Sequence, residues 1–379
     1  MAHELLAIGL MSGTSADAID AVLVRTDGVG KPHLLAAREE PLPDELRARI
    51  LAFNEPGENE IDRMGYLDRE LGERFAAAAI AVRGEAGIPP GEVAVIGSHG
   101  QTLRHRPPHF SLQIGSPFVI AARTGCTTIA DFRTADLVRG GEGAPLVPLF
   151  HRHLFQEPGK RVAVVNLGGI ANITALPADP DAPLIAGDTG PANALMNLTI
   201  HRATGGRLHH DPEGSHAAAG QCHRPGLDWL MSHPYLGRPF PKSTGRESFG
   251  PALLQEFTER FGDPGLESML ATLAHFTVAS VAAACRTALP PAPERLIVCG
   301  GGGRNPFLMR LFSQALPQTE VRLADSLGVN ADTLEAQAFA WFAVRTLRGL
   351  PSSSREATGA SEAAILGAII PGGPTAVRS

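Results

Sequence analysis

Asp188 is the carboxylate whose setting most favours chemistry, because it stands between two glycines in the segment 187–193. The apolar residues 183–186 before it are typical of a strand, and Pro191 followed by residues 192–198 predicts the start of a helix. An acid between a strand end and a helix N-terminus is well placed to act on a phosphate or another polar substrate. The same pattern also fits an Asp that caps a helix or stabilises a turn, which is the more frequent role of such residues.

Further polar side chains follow other predicted strands. Residues 93–97 predict a strand, and His99 and Gln101 come directly after it, which is a common ligand position in α/β folds. Arg133 and Thr134 lie at the end of another predicted strand. His99 fits a hydrogen-bonded loop histidine equally well, so both interpretations stay open.

An acidic residue lies on the apolar face of the last clear helix. The spacing predicts this helix over residues 331–347, with Glu335 on the same stripe as Phe339 and Phe342. An acid on such a stripe either caps the helix at the rim of the core or points into a cleft. The residues alone do not decide between these two roles.

Three glycine-rich turns follow predicted strands, at residues 9–15, 167–169 and 300–303, and none of them contains lysine. The first two each join two short strands into a hairpin, which predicts a duplicated unit. The four glycines at 300–303 cost backbone entropy and have little packing value, which favours close approach of the backbone to a flat or charged ligand. If these turns hold a nucleotide, amides and hydroxyls must bind its phosphates, with magnesium supplying positive charge.

Length, composition and charge narrow the class of protein. The chain has 379 residues, of which 44% are hydrophobic, and this size favours two domains. The net charge of -6 argues against a general nucleic-acid binder, and the four scattered cysteines are typical of reduced thiols. The N-terminus lacks the pattern of a signal peptide, and no unbroken apolar run is long enough to span a bilayer. The sequence therefore predicts a cytoplasmic protein that binds neither nucleic acid nor membranes.

Several familiar catalytic signatures are absent from the sequence. It contains no Gly-x-x-x-x-Gly-Lys-Ser/Thr phosphate loop, no Gly-x-Gly-x-x-Gly after the first strand, no Gly-x-Ser-x-Gly elbow and no protein-kinase signature. His209, His210 and Asp211 carry metal-binding groups, but their spacing matches no standard site, and a solvated loop fits better. Asp188 and the three glycine turns remain as the main chemical signal.

Six motifs, in order along the chain, resemble those of the 1,6-anhydro-N-acetylmuramic acid kinase family. This family is part of the actin-like ATPase superfamily of sugar kinases and 70-kilodalton heat-shock chaperones. The motifs span essentially the whole chain: GLMSGTS at 9–15, GSHGQT at 97–102, NLGGIAN at 166–172, DTGP at 188–191, KSTGRE at 242–247 and CGGG at 299–302. The resemblance implies an α/β, two-domain actin-like ATPase (ribonuclease H-like) fold with an interdomain cleft. It implies one domain of residues 1–132 with 346–379 and a second of residues 133–345.

The family phosphorylates 1,6-anhydro-N-acetylmuramic acid, a small-molecule sugar of peptidoglycan recycling, with ATP. Water opens the internal anhydro ring in the same reaction, and the product is N-acetylmuramic acid 6-phosphate. The resemblance implies this activity for the chain, with Mg2+ bound together with ATP, Asp188 as the catalytic base, and a homodimer.

The resemblance also assigns the binding positions. The ATP phosphates would be held by Gly13, Thr14, Ser15, Ala16, Asp17, Ala18, Ile19 and Asp20, with Gly168 and Gly169 opposite and Gly301 and Gly302 near the adenosine. The sugar would be surrounded by His99, Gln101, Arg133, Thr134, Gly190, Pro191 and Glu335.

The chain departs from the family pattern at four positions. Ala16 and Ala18 stand where the family usually has Leu and Gly, and Ala192 stands where it usually has Gly. Alanine is expected to be tolerated there unless the backbone needs a positive φ. Glu142 stands where the family usually has Gln, and its negative charge is expected to alter the preference for an anionic sugar.

Two other functions compete with this assignment. One is a kinase of the same fold for another sugar, such as levoglucosan or a free hexose. The other is a non-catalytic, ATP-gated binding protein of the chaperone or actin type. The Asp-Thr-Gly-Pro motif and the lack of residues left over for a client-binding region argue against the second.

Overall fold

The structure is a computed structural model that describes residues 3–13, 15–245 and 247–373. Its strands are β1 (Leu5–Ser12), β2 (Ala18–Thr26), β3 (His33–Pro41), β4 (Val95–Arg106), β5 (Phe110–Ile114), β6 (Thr128–Ala130), β7 (Val162–Leu167), β8 (Ile170–Leu176), β9 (Ile185–Pro191), β10 (Arg295–Cys299), β11 (Glu320–Leu323) and β12 (Ala368–Ile370). Its α-helices are α1 (Asp44–Leu51), α2 (Glu60–Glu85), α3 (Pro117–Thr124), α4 (Thr134–Leu137), α5 (Pro148–Phe155), α6 (Ala194–Ala203), α7 (Ser215–Ala219), α8 (Arg224–Met231), α9 (Pro251–Phe261), α10 (Leu266–Ala288), α11 (Pro306–Ala315), α12 (Leu334–Leu347) and α13 (Arg355–Thr358).

These elements separate into two compact units. The first unit comprises Met1–Leu154 with Thr333–Ser379, and the second comprises Phe155–Asp332. These limits differ from the expected boundaries after residues 132 and 345, because α4 contacts β5 and α12 packs on β1, β2 and β4. Residues 133–154 and 333–345 therefore belong to the first unit and not to the second.

The two units repeat one strand topology. In the first unit the strand order is β12-β6-β4-β1-β2-β3, with β5 paired to β4, and in the second it is β11-β10-β7-β8-β9. In each, an antiparallel meander (β1-β2-β3 or β7-β8-β9) is extended from its first strand by parallel strands (β4 and β6, or β10 and β11). The predicted repeat of a strand, a glycine turn and a strand is confirmed, and the architecture is the predicted α/β fold of the actin-like ATPases.

Each unit has its own apolar core. In the first unit, α2 packs on the sheet with Leu67, Leu71 and Phe75, which recur at four-residue spacing along one face of the helix. In the second unit, α10 is the central helix and contacts strands β8 and β9 as well as α6, α7, α8 and α11. Because a strand buries one face and a helix one stripe, these contacts fix which side chains remain available at the strand ends.

Helix α12 lies directly against the backbone of two strands of the first unit. A Cβ atom built on Gly9 would lie 1.8 Å from the Ala336 carbonyl oxygen, and one on Gly97 would lie 2.1 Å from the Phe339 carbonyl oxygen. Only glycine permits this approach. The close packing explains why these two motif positions are glycine, and it fixes the height of Glu335 above the sheet.

Helix α10 is long and apolar enough to cross a membrane, although the sequence contains no unbroken apolar run of that length. The mean hydropathy of its 18-residue window is 1.5, and 78% of that window is buried inside the structure. Such burial is expected of the core helix of a folded unit.

Candidate active site

The backbone around Asp188 contains a β-bulge in β9. Asn172 of β8 pairs with Asp188 and Ala171 pairs with Gly190, so Thr189 is an extra residue on the β9 side. The flanking glycines have positive φ angles, +152° at Gly187 and +136° at Gly190, which other residues rarely adopt. A bulge re-aims the neighbouring side chain, and here it acts on the carboxylate singled out from the sequence.

A segment 47 to 56 residues further along the chain holds Asp188 in place. The Asp188 amide donates to the Lys242 carbonyl oxygen (2.8 Å), and the Tyr235 hydroxyl donates to the Asp188 carbonyl oxygen (2.9 Å). The Thr244 amide donates to the Asp188 carboxylate oxygen Oδ2 (2.8 Å). Three hydrogen bonds therefore fix both the main chain and the side chain of this half-buried acid.

The surroundings make Asp188 a stronger base than an exposed aspartate. Burial raises the pKa of its carboxyl to about 6, the Thr244 amide and the Lys242 ammonium oppose this rise, and the Glu247 carboxylate adds to it. At neutral pH the group is ionised but has a pKa close to the working pH, which is the condition for efficient general-base catalysis.

The residues after Asp188 differ in part from the prediction. Gly190 and Pro191 are buried in β9, so Pro191 ends a strand and is not an early helical residue. Helix α6 begins at Ala194 after Asn193. Ala192 is 1% exposed, and its φ is not among the positive values, so its methyl group is accommodated in the core of the second unit.

In the turn between β7 and β8, the carbonyl oxygens are hydrogen-bonded within the protein, while the space beside the two glycines is open. Asn193 Nδ2 donates to the carbonyl oxygens of Leu167 and Gly168, both at 2.9 Å, and the Ala192 amide donates to Gly169 (2.9 Å). A Cβ on Gly168 or Gly169 would meet no atom closer than 3.7 or 3.9 Å. The carbonyls are thus engaged by the protein, while space remains beside both glycines.

The glycines at 300–303 have separate roles. A Cβ on Gly300 would lie 2.2 Å from Asn166 Oδ1, and one on Gly302 would lie 2.6 Å from Leu167 Cβ, whereas one on Gly301 would meet nothing within 4 Å. The expectation of little packing value is therefore wrong for Gly300 and Gly302, which pack on the end of β7. Gly301 is the position open to a ligand.

The turn between β1 and β2 carries the predicted phosphate segment of the first unit; Thr14 lies outside the described residues. Ser15 Oγ donates to Asp17 Oδ1 (2.8 Å), and the Ala16 amide donates to the Gly13 carbonyl oxygen (3.1 Å). Ala16 has a φ of +50°, a left-handed conformation that costs an alanine roughly 1–2 kcal/mol. Alanine was expected to be tolerated here only if the backbone needed no positive φ. The structure has a positive φ at Ala16, so this expectation does not hold at this position.

The remaining side chains of that segment point to different environments. Ala16 and Ile19 are fully buried in the core of the first unit, so they offer a ligand only main-chain groups. Ala18 and Asp20 lie in β2, and Asp20 pairs with Met11 of β1.

Gln101 contacts this turn. Ser12 Oγ donates to Gln101 Oε1 (2.8 Å), and Gln101 Nε2 donates to the Gly13 carbonyl oxygen (3.1 Å). The side chain is 1% exposed. Both polar ends of the predicted sugar ligand are thus engaged in holding the first glycine turn.

His99 occupies a second β-bulge, in β4. Leu10 pairs with Ser98 and Ser12 pairs with Gln101, so β4 carries one extra residue, and Gly100 has a φ of +72°. Arg133 Nη2 lies 2.8 Å from His99 Nε2, and because a guanidinium only donates, this ring nitrogen is the acceptor. The proton is therefore on Nδ1, which donates to the Gly100 carbonyl oxygen (2.9 Å).

Charge and burial keep the His99 ring neutral. Burial and the Arg133 guanidinium lower the pKa of His99 to about 3. Burial also lowers the pKa of Arg133 to about 10 against the opposing effect of Glu335, and burial raises the pKa of Glu335 against the effect of Arg133. His99, Arg133 and Glu335 therefore form one electrostatically connected group in the first unit.

Thr134 is exposed at the first position of α4, and its amide is bonded to Asp131 Oδ1 (3.2 Å). Arg133 Nη1 donates to the Gly143 carbonyl oxygen (2.8 Å) next to Glu142, which is exposed. These contacts connect Arg133 to the turn that contains one of the four departures from the family pattern.

Residues 235–244 are the part of the site that sequence reasoning missed. Lys242 and Thr244 lie in one of the six motifs, but no pattern linked them to Asp188, and Tyr235 gave no signal at all. Arg246 of the same motif lies outside the described residues.

The histidine-rich loop is structural in this fold. The Asp211 carboxylate accepts from the amides of His216 and Ala217, at 3.0 and 2.9 Å, in the first turn of α7. His201 and His209 stack with ring centroids 5.2 Å apart. Within the described ranges there is no group of three or more His, Cys, Asp or Glu side chains that could hold a metal ion.

The repeated sheets, the glycine turns and the positioned carboxylate agree with the expected sugar kinase, and the family comparison shows this class. The family model described as Anhydro-N-acetylmuramic acid kinase matches residues 5–372. The chain belongs to this family.

Named relatives match over nearly their whole length. The chain is 44% identical over 371 residues to an anhydro-N-acetylmuramic acid kinase of Shewanella amazonensis, covering 97% of this chain and 99% of the relative. A protein of the same name from Shewanella halifaxensis is 43% identical, with coverages of 96% and 98%. Among solved structures, the xylulose kinase from Rhodospirillum rubrum is 13% identical, covering 95% of this chain and 94% of that one, with a TM-score of 0.45.

Proposed function

We propose that this protein transfers the γ-phosphoryl group of ATP to 1,6-anhydro-N-acetylmuramic acid and opens the anhydro ring with water. The products are ADP and N-acetylmuramic acid 6-phosphate. The observation that carries the proposal is the positioned Asp188, with its pKa raised to about 6, in a chain that belongs to this kinase family.

The chemistry of the substrate requires a base. The anhydro sugar has no free 6-hydroxyl, because its O6 bridges to the anomeric carbon. A water oxygen bonds to the anomeric carbon, the bond from that carbon to O6 breaks, and O6 bonds to the γ-phosphorus as ADP leaves. The water loses one proton in this step, and a carboxylate within hydrogen-bond reach can accept it.

Asp188 is the group we assign to this proton transfer. Its Oδ2 already accepts from the Thr244 amide at 2.8 Å, so we place the water on Oδ1. The Thr244 amide holds the carboxylate, and the contacts with Tyr235 and Lys242 hold the main chain of Asp188. This positioning lowers the entropic cost of reaching a reactive geometry.

The nucleotide would be bound mainly by main-chain groups. We assign the phosphates to the turn from Gly13 to Asp20 and to Gly168 and Gly169, and the adenosine to Gly301 and Gly302. The open space beside Gly13, Gly168, Gly169 and Gly301 supports this assignment, because a ligand can approach the backbone closely there. Gly302 would act by packing, which places Gly301 at the surface of the turn.

Magnesium bound with ATP would neutralise the charge that develops on the phosphate oxygens during transfer. In proteins this ion is usually bound through one or two carboxylates together with substrate phosphates. Asp17 and Asp20 are the carboxylates of the proposed phosphate segment and would hold it.

The sugar would be bound by Arg133, Thr134 and Glu335, with main-chain support from Gly190 and Pro191. Because both ring nitrogens of His99 are bonded, to Gly100 and to Arg133, we assign His99 the orientation of Arg133. Arg133 offers a charge that suits the carboxylate of the lactyl group, and the Glu335 carboxylate can accept from sugar hydroxyls. Because Gln101 is already bonded to Ser12 and Gly13, we assign it the support of the phosphate turn in place of direct sugar contact. A homodimer and a cytoplasmic location are further proposals that rest on the family resemblance.

The test is ADP release from ATP by the purified protein with 1,6-anhydro-N-acetylmuramic acid, set beside glucose and levoglucosan. We expect release with the anhydro amino sugar and a phosphorylated, ring-opened product identified by mass spectrometry. Phosphorylation of glucose or levoglucosan at an equal or higher kcat/KM would overturn the substrate assignment. Nucleotide binding with no sugar-dependent ADP release would support a binding protein instead.

A further inference from the structure

The second unit contains a buried lysine that the proposed reaction does not use. Lys242 is 9% exposed, and its Nζ donates to the carbonyl oxygens of Leu236 (2.9 Å) and Tyr235 (3.3 Å). The ammonium also lies over the rings of Tyr235 and Phe240, 4.9 and 5.0 Å from their centroids. Within the described part of the chain, no ion pair joins it to a carboxylate.

Packing alone does not explain a charged residue at this position. Taking an ammonium out of water costs free energy, and an apolar side chain of similar length often replaces a buried charge without loss of stability. Carbonyl oxygens and aromatic faces compensate part of this cost. A methionine would fill the same space, so the charge or the hydrogen bonds of Lys242 need a separate reason.

Lys242 connects the contacts that hold Asp188. Its ammonium binds the carbonyl of Tyr235, the residue whose hydroxyl donates to the Asp188 main chain. Its own carbonyl accepts from the Asp188 amide, and two residues later the Thr244 amide donates to the Asp188 carboxylate. We call residues Tyr235, Leu236, Lys242 and Thr244 the Asp188 clamp.

The clamp lies in close contact with β9. A Cβ built on Gly187 would lie 2.7 Å from the Lys242 carbonyl oxygen and 3.1 Å from its amide nitrogen. Glycine is therefore needed at position 187 for two reasons. Its positive φ disfavours other residues, and a side chain there would collide with the Lys242 main chain. A change in the position of Lys242 is transmitted to the carboxylate through short main-chain contacts.

We propose that Lys242 is a positioning residue for Asp188, which orients the carboxylate through the clamp and stabilises its ionised form. This inference rests on the proposed function of Asp188 as the base. It assigns to the Lys-Ser-Thr-Gly segment a catalytic purpose that is distinct from nucleotide or sugar binding.

The charges around the carboxylate give the inference a measurable sign. Burial raises the pKa of Asp188, Glu247 raises it further and Lys242 lowers it. Burial and Arg238 lower the pKa of Lys242, and Asp188 opposes this shift. Asp188 also raises the pKa of the Tyr235 hydroxyl. Replacing Lys242 by an uncharged residue therefore moves the pKa of Asp188 upward, and Glu247→Gln moves it downward.

The experiment compares Lys242→Met, Lys242→Arg and Tyr235→Phe with the unchanged protein and with two matched controls, the exposed Lys160→Met and Tyr66→Phe. The pH dependence of kcat/KM for ADP release with 1,6-anhydro-N-acetylmuramic acid is measured, together with KM for ATP and the thermal midpoint.

For Lys242→Met we expect a folded protein, a fall in kcat of about tenfold, and an unchanged KM for ATP. The acid limb of the profile moves to higher pH by about half a unit or more. Lys242→Arg restores the position of the limb, Tyr235→Phe lowers kcat by a smaller factor, and both controls match the unchanged protein.

Three outcomes contradict this inference, and a fourth contradicts the proposed function on which it rests. A Lys242→Met protein with unchanged kcat and an unmoved acid limb contradicts the positioning role. A lower thermal midpoint without a shift of the limb shows a purely structural lysine, and it contradicts the inference as well. If Lys242→Met does not fold, Tyr235→Phe decides, because a normal kcat there contradicts the clamp. Near-normal turnover of Asp188→Asn would instead contradict the role of Asp188 as the base. Failure of the Lys242 inference and failure of the proposed function therefore give different results.

Discussion

Two of the β-bulges, one in each unit, present a titratable side chain by the same backbone device. Burial favours the neutral form of both side chains, but only Asp188 titrates near neutral pH. In β4 the bulge precedes Gly100 at a φ of +72° and carries His99, and in β9 it precedes Gly190 at +136° and follows Asp188. Both are extra residues inserted into a strand pair, and both are followed by a glycine that the backbone requires.

The partners make the difference between the two groups. Both ring nitrogens of His99 are bonded, and its pKa is lowered to about 3, so the ring stays neutral over the whole working range. Asp188 has a main-chain donor on Oδ2 and a pKa raised to about 6, so it can gain and lose a proton near neutral pH. The fold thus uses one device to build a fixed, neutral acceptor for the Arg133 guanidinium and a proposed proton acceptor for water.

The largest expected effect is that of Asp188→Asn. We expect kcat for ADP release to fall about a hundredfold or more, because the water loses its proton acceptor. The exposed Asp228→Asn in the same unit is the matched control and should keep normal turnover. Near-normal kcat in Asp188→Asn would contradict the assignment of Asp188 as the base.

The same substitution has a predicted effect on stability. The pKa of Asp188 in the folded state, about 6, is above the value of 3.8 for an unperturbed aspartate, so ionisation destabilises the fold as the pH rises through this window. Asp188→Asn should therefore raise the free energy of unfolding at pH 7 by up to about 3 kcal/mol and leave it nearly unchanged at pH 4. Urea denaturation at the two pH values measures this, and an equal change at both would contradict the sign.

Replacing Arg133 tests the other half of the comparison. For Arg133→Gln we expect kcat/KM for the sugar to fall about tenfold to a hundredfold, mainly through KM, because a charged donor is lost. The pKa of His99 should rise, since the guanidinium that lowers it is gone, and NMR titration of the ring can follow this. The exposed Arg123→Gln is the control, and an unchanged His99 titration would contradict the pairing.

The bulge glycines provide a test on stability. We expect Gly100→Ala and Gly190→Ala each to lower the free energy of unfolding by about 1–3 kcal/mol, because alanine is strained at those angles. Gly100→Ala should cost more, because its Cβ would lie 2.5 Å from the Ile114 carbonyl oxygen, whereas that of Gly190 would lie 3.3 Å from Ser280 Oγ. Gly237→Ala meets nothing within 4 Å and is the control. Equal stability of all three variants in urea would show that the bulges are not needed.

The smallest effect is expected at the glycines near β7. Gly301→Ala should change the free energy of unfolding by no more than about 0.5 kcal/mol, because its methyl group meets no protein atom within 4 Å. It should raise KM for ATP several-fold, because the methyl group would occupy space that we assign to the nucleotide. Gly302→Ala should instead lower the free energy of unfolding, because its Cβ would lie 2.6 Å from Leu167 Cβ. A KM for ATP unaffected by Gly301→Ala would remove this turn from the nucleotide site.

Much of this arrangement could be predicted from local sequence. Asp188, His99 and the glycine turns carry local signals, because a strand followed by small residues marks a ligand-binding end of a sheet. The repeated hairpins follow from the same short patterns, whereas the α/β fold was implied by the resemblance of the six motifs to the kinase family.

What could not be predicted depends on pairing between distant segments. The bulges arise from the register of β1 with β4 and of β8 with β9, and periodicity does not show a register shift. The Tyr235 hydroxyl meets Asp188 across 47 residues, and Gln101 meets Gly13 across 88. Pro191 fitted a helix start locally, but its strand pairing with Ile170 decided otherwise.

Two of the departures from the family pattern differ in their backbone conformation. Ala192 is tolerated because its backbone needs no positive φ, whereas Ala16 keeps a φ of +50° in the turn proposed to bind phosphates. Strained residues persist where the surrounding structure over-determines them, and they often lie at functional sites. The turn therefore holds Ala16 in a conformation that is unfavourable for alanine.

The most direct test of the central claim is the pH dependence of kcat/KM for ADP release with 1,6-anhydro-N-acetylmuramic acid, measured for the unchanged protein and for Asp188→Asn. The ATP γ-phosphate titrates in the same range, with a pKa of about 6, but it is common to both proteins and cancels in the ratio of their rates. We predict that this ratio rises with pH through an apparent pKa near 6 and is flat above it. A ratio that does not change with pH would contradict the assignment of Asp188 as the base that accepts the proton of water.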